Sequence, residues 1–117
     1  ARFPGYRPLL YADANTLLQA GKTDAALVLI TSHLTLYQDD YHLYELQSRS
    51  HAMQGKNFLR HHPKAEANVR QGNLDAAIEQ LKLALKSKDG DFYQMSIAEA
   101  RLKELIALNK PDESQKN

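Results

Sequence analysis

The chain has 117 residues, 43% of them hydrophobic, and its 15 basic side chains nearly balance 14 acidic ones. That length accommodates one domain or roughly three helical repeats, and a near-neutral chain without a basic block gives nucleic acid no electrostatic hold. No apolar run approaches the roughly 18 residues of a membrane span, and the absence of cysteine excludes disulfides, thiolate metal sites and cysteine nucleophiles together. The chain opens at Ala1 with neither an initiator methionine nor a signal peptide, as expected of a fragment or a processed product.

In chain order, Pro8 suits the first turn of a helix carrying Leu10, Ala14, Leu17 and Leu18. Gly21 closes it, and Thr23 or Asp24 can cap a second helix with Ala26, Leu29, Ile30 and Leu34 on one face. Asp39 or Asp40 opens a third, with Leu43, Tyr44, Leu46 and Met53 on its buried side. Gly55 follows, and then a segment from about Asn57 to Gln71 that contains Pro63. Proline removes a backbone donor and clashes one turn back, so a helix beginning near His62 after a looser lead-in is expected there. Gly72 closes that segment, and Asn73 or Asp75 opens the fifth helix. Gly90 ends it in turn, and Asp91 opens the sixth, carrying Phe92, Met95, Ala98, Leu102 and Leu105 at helical spacing. The last helix is expected to be an end cap whose outer face is polar. The four glycines are expected to be left-handed helix caps. Nothing alternates with a period of two, so the chain is all-α, with residues 1–110 forming the domain and 111–117 a polar, frayed tail.

The stretch from Gly72 to Lys86 carries the most information. Ala77, Leu81 and Ala84 place a small, a large and a small residue on one helix face, which lets a neighbouring helix approach closely. Ala26 and Ile30, after Gly21, repeat Ala77 and Leu81 after Gly72. This is the second-helix half of a tetratricopeptide (TPR) repeat, a helix-turn-helix unit of about 34 residues. The predicted architecture is a TPR-like array of about six helices in three hairpins, wound as a right-handed superhelical solenoid. Gly55 to Gly72 spans half of one period, so an atypical step interrupts the array.

From about Tyr11 to Leu108 the chain resembles the C-terminal TPR domain of periplasmic zinc-metallopeptidases of the β-barrel assembly-enhancing (BepA-like) type. The resemblance is carried by Ala65-Glu66-Ala67, by Gln71 to Leu81, by Gly90-Asp91-Phe92-Tyr93-Gln94-Met95-Ser96, and by Ile97 to Leu105 with its Glu-Ala-Arg-Leu core. It implies a periplasmic module that helps a protease-chaperone engage outer-membrane protein clients and their assembly machinery. It also implies a signal peptide and an H-E-x-x-H protease domain upstream, neither of which is in this sequence, so zinc belongs to that missing domain and no cofactor is expected here.

Chemistry within the chain is sparse. His33, His42, His51, His61 and His62 contain no i, i+4 pair of the kind a helical zinc site needs, and the adjacent His61 and His62 point roughly 100° apart. No phosphate loop or nucleophile elbow is present, so no catalytic, cofactor or metal residue is assigned. In the TPR register Tyr44 falls on the wedge between helices, as a packing residue. Tyr11, Asn15, His42, Glu45 and Arg49 fall on the concave face and form the candidate peptide-binding groove, tyrosine offering apolar area and a polar tip at small entropic cost. A clamp for a terminal carboxylate is rejected, because of its five positions, held here by Tyr11, Asn15, Leu46, Leu59 and Pro63, only Asn15 matches. The expected function is a scaffold that binds polypeptide partners. The alternative is that the chain counts as part of a zinc metallopeptidase whose catalytic domain lies upstream. Self-association through exposed repeat ends, with Phe3 to Leu10 as one such face, is a further possibility.

Overall fold

The computed structural model describes residues 7–110. They form α1 (Arg7–Gln19), α2 (Thr23–Leu34), α3 (Tyr41–Met53), α4 (Asn57–Arg70), α5 (Leu74–Lys86) and α6 (Phe92–Asn109), with no strand among them. The all-helical reading and the six helices therefore stand. The expected tail from Pro111 and the segment Phe3 to Tyr6 lie outside the described residues.

Three of the four turn glycines do what their position demands. Gly21, Gly55 and Gly72 sit at φ of +76°, +73° and +78°, a region that costs a residue with a Cβ roughly 1–2 kcal/mol. The reversal lets Lys22 N–H reach back to the Leu17 carbonyl (2.8 Å) and Asn73 N–H to Asn68 (2.9 Å), which satisfies carbonyls at the helix end. Gly90 is different. It is not in the left-handed region; instead, a Cβ there would lie 2.7 Å from the Phe58 ring. The glycine exists to let that ring seat against the backbone.

Caps follow the same division between local and distant partners. Asp40 accepts from His42 and Leu43 N–H, Asn73 from Ala76 N–H, and Asp91 forms a reciprocal capping box with Gln94. Helix α2 departs from expectation: Lys22 holds its cap position without a side-chain hydrogen bond, and Asp24 instead accepts from Gln54 Nε2 at 3.1 Å. Helix α4 departs further. It runs unbroken from Asn57, not from near His62, because Asp89 accepts from the Asn57 and Phe58 N–H groups (2.6 and 2.9 Å) and caps it from the α5–α6 loop. These backbone donors, Phe58 foremost, hold the Asp89 carboxyl below its ordinary value. Pro63 is buried inside that helix, and the Ser48 hydroxyl donates to the Arg60 carbonyl (2.5 Å) in the turn that proline disturbs.

Most of the buried apolar side chains fall into two groups, with Pro63 and Ala67 buried outside both. Leu10, Ala14, Leu18, Ala26, Ile30, Leu34, Leu43 and Leu46 unite α1, α2 and α3. Phe58, Ala65, Ala77, Ile78, Leu81, Ala84, Ala98 and Leu105 unite α4, α5 and α6. The two groups are copies of one plan at a spacing of 51 residues: Ala14 answers to Ala65, Gly21 to Gly72, Asp24 to Asp75, Ala26 to Ala77, Leu34 to Leu85 and Asp40 to Asp91. Long-range bonds repeat as well. Asp24 accepts from Gln54 near the end of the first unit, and Asp75 accepts from Asn109 (2.7 Å) near the end of the second. An arginine of α3 bridges to Asn15 of α1 (2.8 Å), and Arg101 of α6 bridges to Glu66 of α4 (2.9 Å), the counterpart of Asn15. Each unit is thus a helix, a glycine turn, a second helix, a longer linker and a third helix. The half-period step is the Gly55 turn that joins them.

Two expected core residues are outside. Met53 is 51% exposed near the end of α3, and Phe92 is 87% exposed at the first position of α6. The outer face of α6 is also not polar, since Tyr93, Ile97 and Leu108 lie on it at 73%, 41% and 64% exposure. Ala26 and Ala77 are fully buried, as the close-approach pattern requires. Replacing Ala77 with leucine is expected to lower stability by about 1–3 kcal/mol through overpacking, read as a lower thermal midpoint.

Candidate functional site

Tyr11 and Asn15 lie one turn apart on α1, and His42, Glu45 and Arg49 follow one side of α3. The fold brings all five together. The Tyr11 and His42 rings are 5.0 Å apart, and Arg49 Nη1 donates to Asn15 Oδ1 at 2.8 Å. Tyr11, His42, Glu45, Leu46 and Arg49 line a recess of about 180 Å³. Glu45 and Arg49 also line a larger cleft of about 430 Å³, completed by Ser48, Ala52, Arg60, His61, Lys64 and Gln80. The two recesses are adjacent, with Glu45 and Arg49 as a common wall, and the larger one reaches α4 and α5. It is polar and mostly cationic on the α4 side, where Lys64 pairs with Glu45 (3.6 Å) and His61 Nδ1 meets Gln80 Oε1 (2.9 Å).

The part of the groove on α4 and α5 was not legible in the sequence. A lead-in without helical order gives Arg60 and His61 no defined direction, and only the distant Asp89 cap orders them. His61 and His62 do diverge as adjacent helical residues must: His61 faces the cleft, while the His62 ring lies tilted against Phe58, with centroids 5.7 Å apart. Burial holds the His62 imidazole below its ordinary pKa, with Glu66 acting against that and Arg101 adding to it. Among the described residues no three His, Asp or Glu side chains gather as a metal-binding group, and no helix is long and apolar enough to cross a membrane.

The five groove residues differ in what else they do. His42 and Arg49 are exposed. Tyr11, by contrast, is half-buried and gives its hydroxyl proton in a short hydrogen bond to Asp40, a residue only 7% exposed that also caps α3. Burial first, and then that bond, raise the Tyr11 phenol well above its ordinary pKa. Arg7 adds a contact to Asp40 at 3.4 Å and lies over the Tyr37 ring. Tyr11 is thus a brace between α1 and α3 as well as a wall of the recess, so its replacement carries a cost in folding. Tyr44 faces the junction between units, where the Arg70 guanidinium stacks on its ring at 4.5 Å.

In the second unit the corresponding place is closed by charge. Glu66 accepts from Arg101 Nε and Nη2 (2.9 and 3.1 Å) and from Arg70 Nη1 (2.5 Å), and Arg101 also pairs with Glu104. Burial would raise the Glu66 carboxyl, but the hydrogen bonds from Arg101 and Arg70 outweigh it and hold the pKa below 4.5.

No family model matches the chain, nor does any curated protein or solved structure.

Two outcomes follow from these bonds. Tyr11→Phe is expected to cost about 1.5–3 kcal/mol, the loss of a hydrogen bond to a charged group, in a denaturant titration. Glu66 has a folded pKa below its unfolded value, so its contribution to stability is present above pH 4.5 and is lost as pH falls through the lowered value. Glu66→Gln should flatten that part of the stability–pH curve, measured by urea denaturation at a series of acidic pH values.

Proposed function

We propose that this chain is a protein-interaction scaffold, a TPR-like array of helical hairpins with a right-handed superhelical course, whose groove receives an extended segment or a helix of a polypeptide partner. The observation that carries this reading is the pair of adjoining recesses that share Glu45 and Arg49, one lined by the Tyr11 and His42 rings and the other by Arg60 and Lys64. Aromatic and guanidinium groups on a concave surface are the side chains that dominate polypeptide recognition. A rigid wall supports them: Asn15 holds Arg49, and Asp40 holds Tyr11, so little side-chain freedom is lost on binding.

The resemblance to BepA-like proteins supports a more specific setting. In that reading the module is periplasmic and serves a zinc-dependent peptidase whose catalytic domain lies upstream, and it presents outer-membrane proteins or their assembly machinery to that enzyme. The fragment itself binds and does not catalyse.

The test uses the two exposed residues of the group, His42 and Arg49. The double variant His42→Ala, Arg49→Glu loses the bond from Arg49 to Asn15 and the ring beside Tyr11, so its midpoint is expected to fall while circular dichroism shows the fold retained. A photo-reactive residue placed at position 49 in the full-length protein should give adducts with client or assembly polypeptides in cells. Adducts equal in yield and kind to those from exposed position 99, away from the groove, would sink the groove as the binding site.

A further inference from the structure

The larger recess, of about 430 Å³, concentrates positive charge in a chain that is otherwise near balance. Over the whole sequence 15 basic side chains face 14 acidic ones, yet this recess is lined by Arg49, Arg60 and Lys64 against one carboxylate, that of Glu45. Glu45 pairs with Lys64 at 3.6 Å and leaves both arginines without a counter-ion. Elsewhere the chain does supply one. Of the five described arginines, Arg7 reaches Asp40, and Arg70 and Arg101 reach Glu66. The two that meet no carboxylate are the two that line this recess. Arg49 gives one of its five N–H donors to Asn15. The Arg60 side chain is exposed and makes no hydrogen bond or ion pair among the described residues.

Unpaired guanidinium groups in a concave place suit carboxylates, which they can grip with two parallel hydrogen bonds. A cleft lined by one sign of charge also focuses its field on what approaches. The adjoining recess of about 180 Å³ offers something else, the Tyr11 and His42 rings with Leu46 beside them. Arg49 belongs to both walls, so a ligand that fills both presents a carboxylate next to an apolar side chain. Glu45, in the same common wall, selects between kinds of polyanion. A nucleic-acid strand carries charge at every phosphate and would bring one against Glu45. A polypeptide carries charge only on particular side chains, and its backbone N–H groups can donate to a carboxylate.

On the reading that the two recesses bind a polypeptide, we propose that the segment they receive is acidic. Its Asp or Glu side chains pair with Arg49, Arg60 and Lys64, and a neighbouring apolar side chain enters the recess beside Tyr11 and His42.

Fluorescence anisotropy with end-capped peptides tests this, because capping leaves side-chain carboxylates as the only ones. A peptide of Asp and Glu interrupted by Leu is expected to bind about tenfold or more tighter than its Asn and Gln counterpart, and to weaken as salt rises. Without the leucine it should bind less well. Arg60→Glu should weaken the acidic peptide by about tenfold or more. That variant should fold, since the side chain it removes bonds to nothing and a carboxylate near the start of α4 suits the helix dipole. Lys103→Glu, the same charge change on the exposed side of α6, should stay within about twofold of the parent. Glu45→Gln removes the one opposing carboxylate and should tighten binding. Equal binding of the acidic and amide peptides, or of neither, overturns the proposal. So does an Arg60→Glu protein that is folded by circular dichroism and binds like the parent, or a single-stranded oligonucleotide that binds as tightly as the acidic peptide. Adducts formed specifically at position 49 with segments poor in Asp and Glu overturn it while the polypeptide reading stands. If neither such adducts nor peptide binding is found, both fall.

Discussion

At Ala14 and Ala26 in the first unit, and at Ala65 and Ala77 in the second, helices bury positions that carry no more than a methyl group. Small side chains let helix axes come close, and the neighbouring Leu18, Ile30 and Leu81 then fill the space beside the contact, each at most 1% exposed. Helices of 12 to 18 residues are marginal in water by themselves, so each of the six owes its existence to these contacts. The glycine turns serve the same end. With φ near +75° they reverse the chain within two or three residues, which brings consecutive helices side by side before any long-range contact forms.

Repetition of one plan does not make the two units equivalent in chemistry. In the first, the bridge between outer helices is neutral at one end, Asn15 to Arg49, and leaves a recess beside it. In the second, a carboxylate stands in the place of Asn15 and draws in two guanidinium groups, from Arg70 and Arg101. A half-buried carboxylate must be paired, so the second unit spends its polar side chains on itself. The first unit leaves His42 and Arg49 toward solvent. Beside those two residues lies the recess between α1 and α3.

The junction between the units is also mixed in character. Tyr44 under Arg70, Glu45 with Lys64 and the Ser48 hydroxyl on the Arg60 carbonyl hold α3 to α4 with polar groups set around the buried Pro63 and Ala67. Hydrogen bonds of this kind fix rotation as well as distance, since their geometry is narrow. The larger recess lies across this junction, so its shape depends on it: a rotation of the second unit would carry Arg60, His61 and Lys64 away from Arg49.

What the sequence determined by itself is local. Gly21, Gly55 and Gly72 announce turns, Asp40, Asn73 and Asp91 announce helix starts, and the small–large spacing of Ala77 and Leu81 announces close helix packing. In each case the cause acts within a few residues, through a φ angle, a hydrogen bond to the next turn or the pitch of a helix. That Tyr11 and Asn15 share one side of α1, and His42, Glu45 and Arg49 one side of α3, was legible for the same reason, the helical pitch. Only tertiary structure decided the rest. The start of α4 depends on Asp89, which lies more than 30 residues away, and so does the direction of Arg60 and His61. Gly90 is a glycine because of Phe58, and Tyr11 is a brace because of Asp40. Ala26 and Ile30 after Gly21 hinted at the two-unit plan, but the halves that pack as units became visible only when their buried side chains separated. Such partners are brought together by the path of the whole chain, and no local pattern encodes a path.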